Sequence, residues 1–574
     1  MEELAATAQM RKTLGRQLFA QLAAVTGGLA PDDYLNAWWE WYLSLAGEPQ
    51  RQAALTSSAL QRLTDSWGFA LQAASGAALP PQASEYGFAD PSWSVWPFNV
   101  MARNYANWAG WWQEALRPGS ANGGVNAART SFAARLLLEA GSPANFLQTN
   151  PELINQTVAE SGQNLVRGLA LWLEDARRAC GGAAVTGSSF EVGKSVAVTP
   201  GKVVFRNRLI ELIQYAPQTP SVYAEPILIM PAWIMKYYIL DLSPENSLVR
   251  FLVAQGHTVF MVSWKNPNAA DRDLGMDDYL SLGWSAALDA VRSLLPDRKV
   301  HAVGYCIGGT LLAIGAAAAG AASDKRLASL TLLAAQTDFS EPGELSVFIS
   351  PSQLAVLEAL MHRAGVLESE RMAGAFALLR SRELLWTPAI RKYVRGERPK
   401  LTDLMSWNAD GTRMPWRMHT EYLERLYLKN ELAAGQFTIG ERPVDLARLK
   451  LPMFVVGTET DHVAPWRSVY KVRALTRSSD YTFLLTSGGH NAGIVSGPVH
   501  PRRRYRLLHW RDSTTQLTPE QWLEQAGLEQ GSWWPRWQGW LAQHSASVRV
   551  IPPRARAADQ RVPLADAPGE YVHG

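Results

Sequence analysis

A cysteine between two glycines is the first feature of this sequence that could do chemistry. The stretch HAVGYCIGGT at 301–310 contains the pattern G-x-C-x-G, formed by Gly304, Cys306 and Gly308. After a strand and before a helix, this pattern is typical of a nucleophile elbow, a sharp turn that presents the central side chain at the end of a sheet. Glycine neighbours let the strand and the helix approach each other closely. The thiol of Cys306 is therefore the candidate nucleophile.

Two later loops supply a candidate acid and a candidate base for this thiol. Asp461 lies in FVVGTETDHVAP, and His490 lies in TFLLTSGGHNAG. Each loop follows an apolar run with the composition of a strand, and the order nucleophile, acid, histidine is that of α/β hydrolases. We predict that His490 is the base and that Asp461 orients it, with Glu459 as the rival acid.

Donors for a developing oxyanion are also expected near the thiol. The backbone N–H of Ile307, directly after the nucleophile, is one such donor. The second should come from the loop PAWIMKYYILDL at 231–242, where Ile234 and Met235 both remain open. The start of the helix after Cys306 also favours a thiolate, because the helix dipole is positive there.

Other candidate residues have less distinctive surroundings. His462 is a candidate substrate contact, with a surface histidine as the alternative. The stretch HPRRRYR contains Arg502, Arg503 and Arg504, which could bind phosphates or form a solvated basic face. The sequence has no H-E-x-x-H, C-x-x-C or G-x-x-x-x-G-K-[ST] motif, so neither a metal site nor a bound cofactor is expected.

Six short apolar runs predict the strands that position these loops. They alternate with helix candidates, which indicates an α/β fold with a mostly parallel sheet and helices on both faces. Between the first two runs, SPENSLVRFLVAQG predicts a helix with Ser243 as N-cap and Pro244 at its first position. The runs are EPILIMPAW (225–233), TVFMVSW (258–264), KVHAVGY (299–305), LASLTLLAA (327–335), LPMFVVGTETD (451–461) and YTFLLTSGGH (481–490).

These patterns divide the chain into three regions. Residues 1–195 are predicted to form a helical N-terminal domain, in which 150–179 has apolar residues at helical spacing. Residues 196–545 are predicted to form an α/β-hydrolase catalytic domain, with an insertion at about 340–448 that caps the active site. Residues 546–574, rich in Pro, Ala and charge, are predicted to form an extended tail.

The composition limits the partners and the location of the protein. The chain has 574 residues and a net charge of +3, so two or more domains are expected and no electrostatic case for nucleic acid exists. With only two cysteines, a reducing cytosol is expected, and Cys180, in a helical stretch, is expected to be structural. No signal peptide is visible, and the uncharged stretch 302–323 is interpreted as a strand, a turn and a helix rather than a transmembrane segment.

Several stretches together resemble the polyhydroxyalkanoate synthases, most closely the class I enzymes. They run from about residue 85 to the end and are jointly far more specific than the elbow pattern. On this resemblance, the family's nucleophile falls on Cys306, its acid on Asp461 and its base on His490. Members often have Asn where this chain has Met235, so no role is expected for that side chain, and the backbone donor stays open between Ile234 and Met235. The matching stretches are GYCIGGTLLA, TPGKVVFRNRLIELIQYAP, EPILIMPAWIMKYYILDLSPENSLVRFLVAQGHTVFMVSWKNP, WNADGTRMP, DHVAPWRSVY, SGGHNAGI and APGEYV.

The resemblance implies a substrate, a product and a setting. The substrate would be an (R)-3-hydroxyacyl-coenzyme A, with short chains such as 3-hydroxybutyryl favoured, and coenzyme A would leave as a polyester chain grows. Coenzyme A is then part of the substrate rather than a cofactor. The family also implies a cytoplasmic homodimer on the surface of polymer granules, with granule-associated proteins as further partners.

Two alternatives to polymerisation remain open. One is a polyester depolymerase or an acyl-CoA thioesterase on the same fold, and the other is a granule-coating protein without catalysis. The 23 tryptophans bear on the second alternative, because many are N-terminal. They favour helix packing, with contact to a partner subunit or a hydrophobic particle as the other interpretation.

Overall fold

The computed structural model of the protein describes residues 29–76, 79–80, 86–117, 124–179, 190–318, 326–512, 514, 516–558 and 565–574. They belong to two compact units, described here over these residues only. The first comprises Ser188–Met372 and Leu401–Gly574, and the second comprises Leu22–Gly187 and Ala373–Lys400. The bounds of the three predicted regions stay predictions, and Cys180 lies outside the described residues.

A sheet of eleven strands forms the centre of the first unit. Its strands are β1 Gly201–Arg206, β2 Ile210–Tyr215, β3 Ile227–Met230, β4 Val259–Trp264, β5 Val300–Tyr305, β6 Leu327–Leu333, β7 Met453–Thr458, β8 Tyr481–Thr486, β9 Arg504–Trp510, β10 Gly527–Gln530 and β11 Ala565–Asp566. Their spatial order is β10-β9-β8-β7-β6-β5-β3-β4-β2-β1-β11. The strands from β8 to β4 in this order pair in parallel, and antiparallel strands flank them on both sides.

The predicted strands are confirmed, since each of the six apolar runs contains one strand of the parallel centre. Every residue of β3, β4, β5, β7 and β8 is buried. A strand buried along its whole length is covered on both faces of the sheet, which explains why these runs are continuously apolar instead of alternating.

Helices link the strands of this unit. In 302–323, β5 leads through a turn into a helix, as predicted, up to the last described residue of that helix. No helix among the described residues is long and apolar enough to span a membrane. The helices are Leu248–Ala254, Met276–Asp278, the π-helix Tyr279–Ser285, Ala286–Leu294, Ile307–Ala318, Pro351–Ala364, Asp403–Ala409, Trp416–Glu421, the π-helix Tyr422–Leu428, Trp466–Tyr470, Val472–Leu475, Pro519–Gln525 and Trp534–Gln543.

The helix predicted from Ser243 begins later than expected. Ser243 precedes only a short 3-10 turn, Pro244–Asn246, and its hydroxyl donates to Oδ2 of Asp403 at 2.5 Å. The α-helix itself is Leu248–Ala254, and the hydroxyl of Ser247 caps it. The cap is therefore Ser247, four residues after the predicted one.

The second unit is helical over its described residues. The predicted helix at 150–179 is interrupted, because Ser161 and Gly162 adopt positive φ angles of 48° and 78°. Its helices are Pro31–Ala46, Pro49–Ala74, Phe98–Ala115, Val125–Ala140, Pro151–Ala159, Gln163–Ala179, the end of Ser369–Leu379, the π-helix Arg382–Trp386, the short helix Thr387–Ala389 and the π-helix Ile390–Val394.

Carboxylates on these helices bind the segment 373–400, which falls within the predicted cap insertion. Asp175 pairs with Lys392 and accepts a hydrogen bond from the hydroxyl of Tyr393 at 2.7 Å. Glu152 pairs with Arg395 at 2.6 Å. The segment is therefore anchored by charge within this unit.

Two buried histidines are expected to make the first unit sensitive to acid. Burial lowers the pKa of His257 and that of His301 to about 3. The unfolded chain binds protons on these rings near pH 6.5, whereas the native state does not, so stability is lost as the pH falls below about 6.5. At about pH 5.5 we expect a loss of about 1 kcal/mol for each ring, measured by urea unfolding against about pH 7.5.

The variant His257→Phe tests the cause of this loss. The ring of His257 stacks on Tyr223 at a centroid distance of 4.5 Å, and among the described residues neither ring nitrogen has a hydrogen-bond partner. Phenylalanine keeps the stacking and removes the titrating group. Its stability should fall less between the two pH values, and an unchanged pH dependence would contradict this explanation.

Candidate active site

The predicted nucleophile lies in a strained turn at the carboxyl end of β5. Cys306 has a φ angle of 54°, in the left-handed region that non-glycine residues rarely adopt. Its N–H donates to the carbonyl of Leu333 at 2.9 Å, and its carbonyl accepts from the N–H of Gly309 at 2.9 Å. The helix Ile307–Ala318 begins directly after it. The strand, turn and helix predicted for the elbow are all present.

The glycines around Cys306 are required by close backbone contacts. A Cβ on Gly304 would lie 2.4 Å from Cα of Gly309. A Cβ on Gly308 would lie 2.4 Å from the carbonyl oxygens of both Met230 and Pro231. The start of the helix therefore packs directly against the end of β3 and the loop that follows it.

Gly308→Ala is expected to destabilise the first unit by about 2–3 kcal/mol and to lower activity, because backbone carbonyls cannot move aside for the new methyl group. Urea unfolding measures the loss. Gly539→Ala is the matched control, since Gly539 lies in the helix Trp534–Gln543 and a Cβ there meets nothing within 4 Å. That variant should be as stable as the unchanged chain or slightly more stable. Equal stability of the two variants would contradict the close contact at Gly308.

The predicted base and acid are in contact. Nδ1 of His490 lies 2.7 Å from Oδ2 of Asp461. Oδ2 also accepts from the hydroxyl of Thr458 at 2.8 Å, and Oδ1 accepts from the N–H groups of Val463 at 2.9 Å and Ala464 at 2.8 Å. The carboxylate is fully buried. These bonds fix its orientation and compensate its charge.

Charge coupling dominates the protonation of this pair. Burial alone would raise the pKa of Asp461, but the charge of His490 and the hydrogen bonds outweigh it and lower that pKa. Burial alone would lower the pKa of His490, but the Asp461 carboxylate and the neighbouring Cys306 raise it well above its usual value. Among the described residues, Nε2 of His490 forms no hydrogen bond of ordinary geometry. The imidazole is therefore oriented on one side and available on the other.

The three expected oxyanion donors have no partner within the described part of the chain. The N–H groups of Ile307, Ile234 and Met235 form no hydrogen bond with a described residue. Ile307 is the first residue of the helix after the elbow. Its neighbour Gly308 contacts Pro231, at the start of the loop that carries the other two donors. This loop and the elbow are thus adjacent, as an oxyanion site requires.

Comparison with known proteins identifies the family to which this chain belongs. The model described as the N-terminus of poly-beta-hydroxybutyrate polymerase (PhaC) matches residues 84–252, and that of the alpha/beta hydrolase fold matches 225–496. A poly(3-hydroxyalkanoate) polymerase of Methylorubrum extorquens is 40% identical over 91% of this chain and 85% of its own length. This chain belongs to the poly(3-hydroxyalkanoate) polymerase family.

Two further relatives agree with this family. The PhaC subunit of the poly(3-hydroxyalkanoate) polymerase of Rhizobium meliloti (strain 1021) is 35% identical over 98% of this chain and 94% of its own length. The corresponding subunit of Cupriavidus necator is 38% identical over 77% of this chain and 75% of its own length. This member of the family is therefore an acyltransferase-type enzyme on the α/β-hydrolase fold, and both predictions are confirmed.

The three candidate arginines of the basic stretch HPRRRYR have different surroundings. The guanidinium of Arg503 is half-buried and donates to the carbonyl of Ser487 at 3.5 Å, in the loop before the candidate base. Arg504 pairs instead with Glu459 at 3.1 Å, so the rival acid has a partner other than the imidazole. Arg502 is exposed. Of the three, only Arg503 has a guanidinium that contacts Ser487 in the loop before the candidate base, whereas Arg504 contacts that residue through its backbone.

His462 is half-buried directly after the candidate acid. Its carbonyl oxygen lies 2.8 Å from the position that a Cβ on Gly343 would occupy. Its backbone therefore packs closely against the turn at Gly343. A substrate contact by its side chain stays a prediction.

Two contacts around the imidazole were missed in the sequence. The ring of Tyr305 stacks against His490 at a centroid distance of 5.7 Å, and its hydroxyl donates to Oδ1 of Asn491 at 2.6 Å. Tyr305 and Asn491 directly adjoin the nucleophile and the base in sequence, which is the signal that could have found them. Tyr305 therefore packs against the imidazole ring, and the residue after the base binds the hydroxyl of Tyr305.

An aromatic group from the predicted cap range lies near the thiol. The rings of Tyr422 and Tyr427 are 5.4 Å apart, and Phe339 lies 4.7 Å from Tyr427. Burial raises the pKa of both tyrosines, and Cys306 contributes to the shift in each. No group of three or more metal-binding side chains occurs among the described residues. These two tyrosines of the predicted cap range therefore lie close to the thiol.

Proposed function

We propose that this enzyme polymerises (R)-3-hydroxyacyl-coenzyme A, with 3-hydroxybutyryl favoured, into a polyester with release of coenzyme A. The growing chain is carried as a thioester on Cys306. One observation carries the proposal. An imidazole bound by a buried carboxylate, His490 on Asp461 at 2.7 Å, couples to a cysteine in a nucleophile elbow. Membership of a family whose relatives are named poly(3-hydroxyalkanoate) polymerases supports the substrate class.

The first chemical step loads the enzyme. Nε2 of His490 takes the proton of the Cys306 thiol, and the sulfur attacks the thioester carbonyl of the incoming monomer. The oxyanion that forms accepts hydrogen bonds from the N–H of Ile307 and from that of Ile234 or Met235. The bond to the sulfur of coenzyme A breaks, and that sulfur takes the proton from the imidazolium. Asp461 stabilises the imidazolium throughout the step.

The second step extends the chain. His490 takes the proton from the hydroxyl of a bound hydroxyacyl unit, and that oxygen attacks the thioester on Cys306. The carbon–sulfur bond breaks, an oxyester forms, and the proton returns from the imidazolium to the thiolate. The extended chain is now a thioester of coenzyme A, and a repeat of the first step returns it to Cys306 and releases that coenzyme A. Another assignment, in which Asp461 assists the attacking hydroxyl directly, remains an alternative for this step.

The thiol explains why polymerisation proceeds. Exchange of one thioester for another is close to thermoneutral, so the enzyme-bound acyl group keeps its activation. Formation of an oxyester from it is downhill. A serine in the same elbow would store the acyl group as an oxyester similar to the product, and that driving force would be lost.

Exclusion of water keeps the intermediate from hydrolysis. The close packing of the rings of Tyr422, Tyr427 and Phe339 supports this role for the predicted cap, because closely packed rings leave little space for water. The position of the predicted cap would control the entry of substrate. A depolymerase or thioesterase would instead admit water as the acceptor.

The proposal also covers the residues that bind coenzyme A, the oligomeric state of the enzyme and its location. Half-burial of Arg503 beside the catalytic loop supports a contact with a phosphate of coenzyme A. His462, Arg502 and Arg504 are further candidates for this contact. A cytoplasmic homodimer on the granule surface, together with granule-associated proteins, is proposed from the family.

Product analysis tests the function. Purified enzyme is mixed with 3-hydroxybutyryl-coenzyme A, free thiol is followed, and insoluble polyester is weighed against free 3-hydroxybutyrate in the same sample. Thiol release with polyester is the expected result. Thiol release with free acid alone would make the enzyme a thioesterase, and a panel of longer monomers tests the chain-length preference if no thiol is released.

A further inference from the structure

The stretch WNADGTRMP supplies none of the residues in the proposed chemical steps. It begins at Trp407, near the end of the helix Asp403–Ala409, and continues through a turn. Its side chains and backbone bind the loop after β3, which carries the oxyanion candidates. The indole N–H of Trp407 donates to the carbonyl of Lys236 at 2.7 Å, and Asp410 accepts from the hydroxyl of Tyr238 at 2.9 Å.

Thr412 makes two of these bonds, and they fall on consecutive carbonyls. Its hydroxyl donates to the carbonyl of Trp233 at 2.7 Å. Its backbone N–H donates to the carbonyl of Ile234 at 3.3 Å. Thr412 is 1% exposed, so both bonds are shielded from water. An antiparallel bridge between Gly411 and Met235 continues the contact.

These two hydrogen bonds also determine the direction of the two candidate oxyanion donors in the loop, because each donor shares a peptide with one of the bound carbonyls. In a trans peptide, the carbonyl of one residue and the N–H of the next point in opposite directions. The carbonyl of Trp233 shares its peptide with the N–H of Ile234, and the carbonyl of Ile234 shares its peptide with the N–H of Met235. Both N–H groups are therefore directed away from Thr412. Consecutive N–H groups on one side of the chain form a concavity that binds anions.

We propose that Thr412 is a positioning residue that orients both peptides of the oxyanion loop. Its hydroxyl fixes the N–H of Ile234, and its backbone fixes the N–H of Met235. The predicted cap range thereby contributes to catalysis without touching the substrate. This inference rests on the proposed function, because it assumes that an oxyanion forms on a carbonyl attacked by Cys306.

Thr412→Val removes the hydroxyl, nearly preserves the shape and keeps the backbone N–H. A donor displaced by a fraction of an ångström should lower kcat for coenzyme A release by about 10- to 100-fold, with KM within about twofold. Thr412→Ser restores the hydroxyl and should recover most of the activity. Thr412→Ala replaces the valine variant if that variant does not fold.

Thr476→Val is the matched control. Thr476 is fully buried, and its hydroxyl also donates to a backbone carbonyl, that of Val472 at 3.0 Å, but it lies outside the site. Thermal unfolding of both variants separates a loss of stability from a loss of positioning. The control should lose stability to a similar degree and keep its kcat.

Two coenzyme A analogues give a readout that a purely structural role would not move. A trifluoromethyl ketone linked to coenzyme A forms an oxyanionic adduct with a thiolate, whereas a coenzyme A thioether binds without forming an oxyanion. Thr412→Val should weaken binding of the ketone by the factor lost in kcat and leave binding of the thioether unchanged. If the variant binds both analogues more weakly by the same factor, or binds neither more weakly, the role of Thr412 is overturned.

The unchanged enzyme separates this inference from the proposed function. If its Cys306 forms the ketone adduct and it releases coenzyme A, the proposed chemistry stands, and an unaffected Thr412→Val variant overturns only the positioning role. If the unchanged enzyme forms no adduct at Cys306, the proposed function fails first, and the positioning role fails with it.

Discussion

Cys306→Ala is expected to lower coenzyme A release from 3-hydroxybutyryl-coenzyme A by about 10⁴-fold or more. The variant has no nucleophile that can hold the acyl group, and the oxyanion donors alone leave little catalysis. Polyester should be absent. The measurement is the rate of free thiol release at saturating substrate, with insoluble polymer weighed in the same sample.

Cys306→Ser separates loading from extension. The hydroxyl is a poorer nucleophile, and the oxyester that it forms is no more activated than the product. We expect a slow release of about one coenzyme A per active site, followed by arrest. Continued polymer formation by the serine variant would contradict the need for a thioester, and polymer formation by the alanine variant would contradict the nucleophile itself.

Asp461→Asn should lower coenzyme A release by about 10³- to 10⁴-fold. The carboxylate raises the pKa of His490, so its removal lowers that pKa and weakens the base. The amide also cannot accept from the imidazole N–H as strongly as the charged oxygen does. The alkylation rate of Cys306 by iodoacetamide should fall at neutral pH, because less of the thiol transfers its proton to the weaker base.

Glu459→Gln is the matched control for this carboxylate. It removes a charge two residues away, from a side chain that pairs with Arg504 instead of with the imidazole. Its activity and alkylation rate should stay within about twofold of those of the unchanged enzyme. Equal losses in the two variants would mean that general electrostatics, rather than the bond to His490, accounts for the role of Asp461.

The fully buried strands could be predicted from the sequence because strands buried on both faces consist mainly of apolar residues. β5, β7 and β8 are apolar along their whole length, and the turns after them carry the glycine and polar residues of the site. The candidates for the elbow, the acid and the base were identified in this way. Local sequence sufficed because each residue follows its own strand.

The edge of the sheet could not be predicted in the same way. β9 has a mixture of exposed and buried residues, and the basic stretch HPRRRYR overlaps its start. Arg504 and Arg506 belong to this strand, which pairs antiparallel with β8, whereas Arg502 and Arg503 precede it. The composition did not indicate the strand. A half-exposed strand next to the edge of the sheet carries too few apolar residues to mark it.

Contacts between segments distant in sequence were also beyond prediction. The motif that contains Thr412 was noted only for its resemblance to a family, and the carbonyls that it binds belong to residues 233 and 234. The interruption near Ser161 depends likewise on backbone geometry rather than on apolar spacing. Such features follow from the tertiary structure, which local patterns do not contain.

The most direct test of the central claim is to identify the bond that carries the acyl chain. The enzyme is mixed briefly with 3-hydroxybutyryl-coenzyme A, quenched in acid and digested, and the peptide that contains Cys306 is analysed by mass spectrometry. We predict hydroxybutyryl units on Cys306 that neutral hydroxylamine releases, as expected for a thioester, and that increase in number with time. An unmodified Cys306 during active polymer synthesis, or an acyl chain on another residue, would contradict the account.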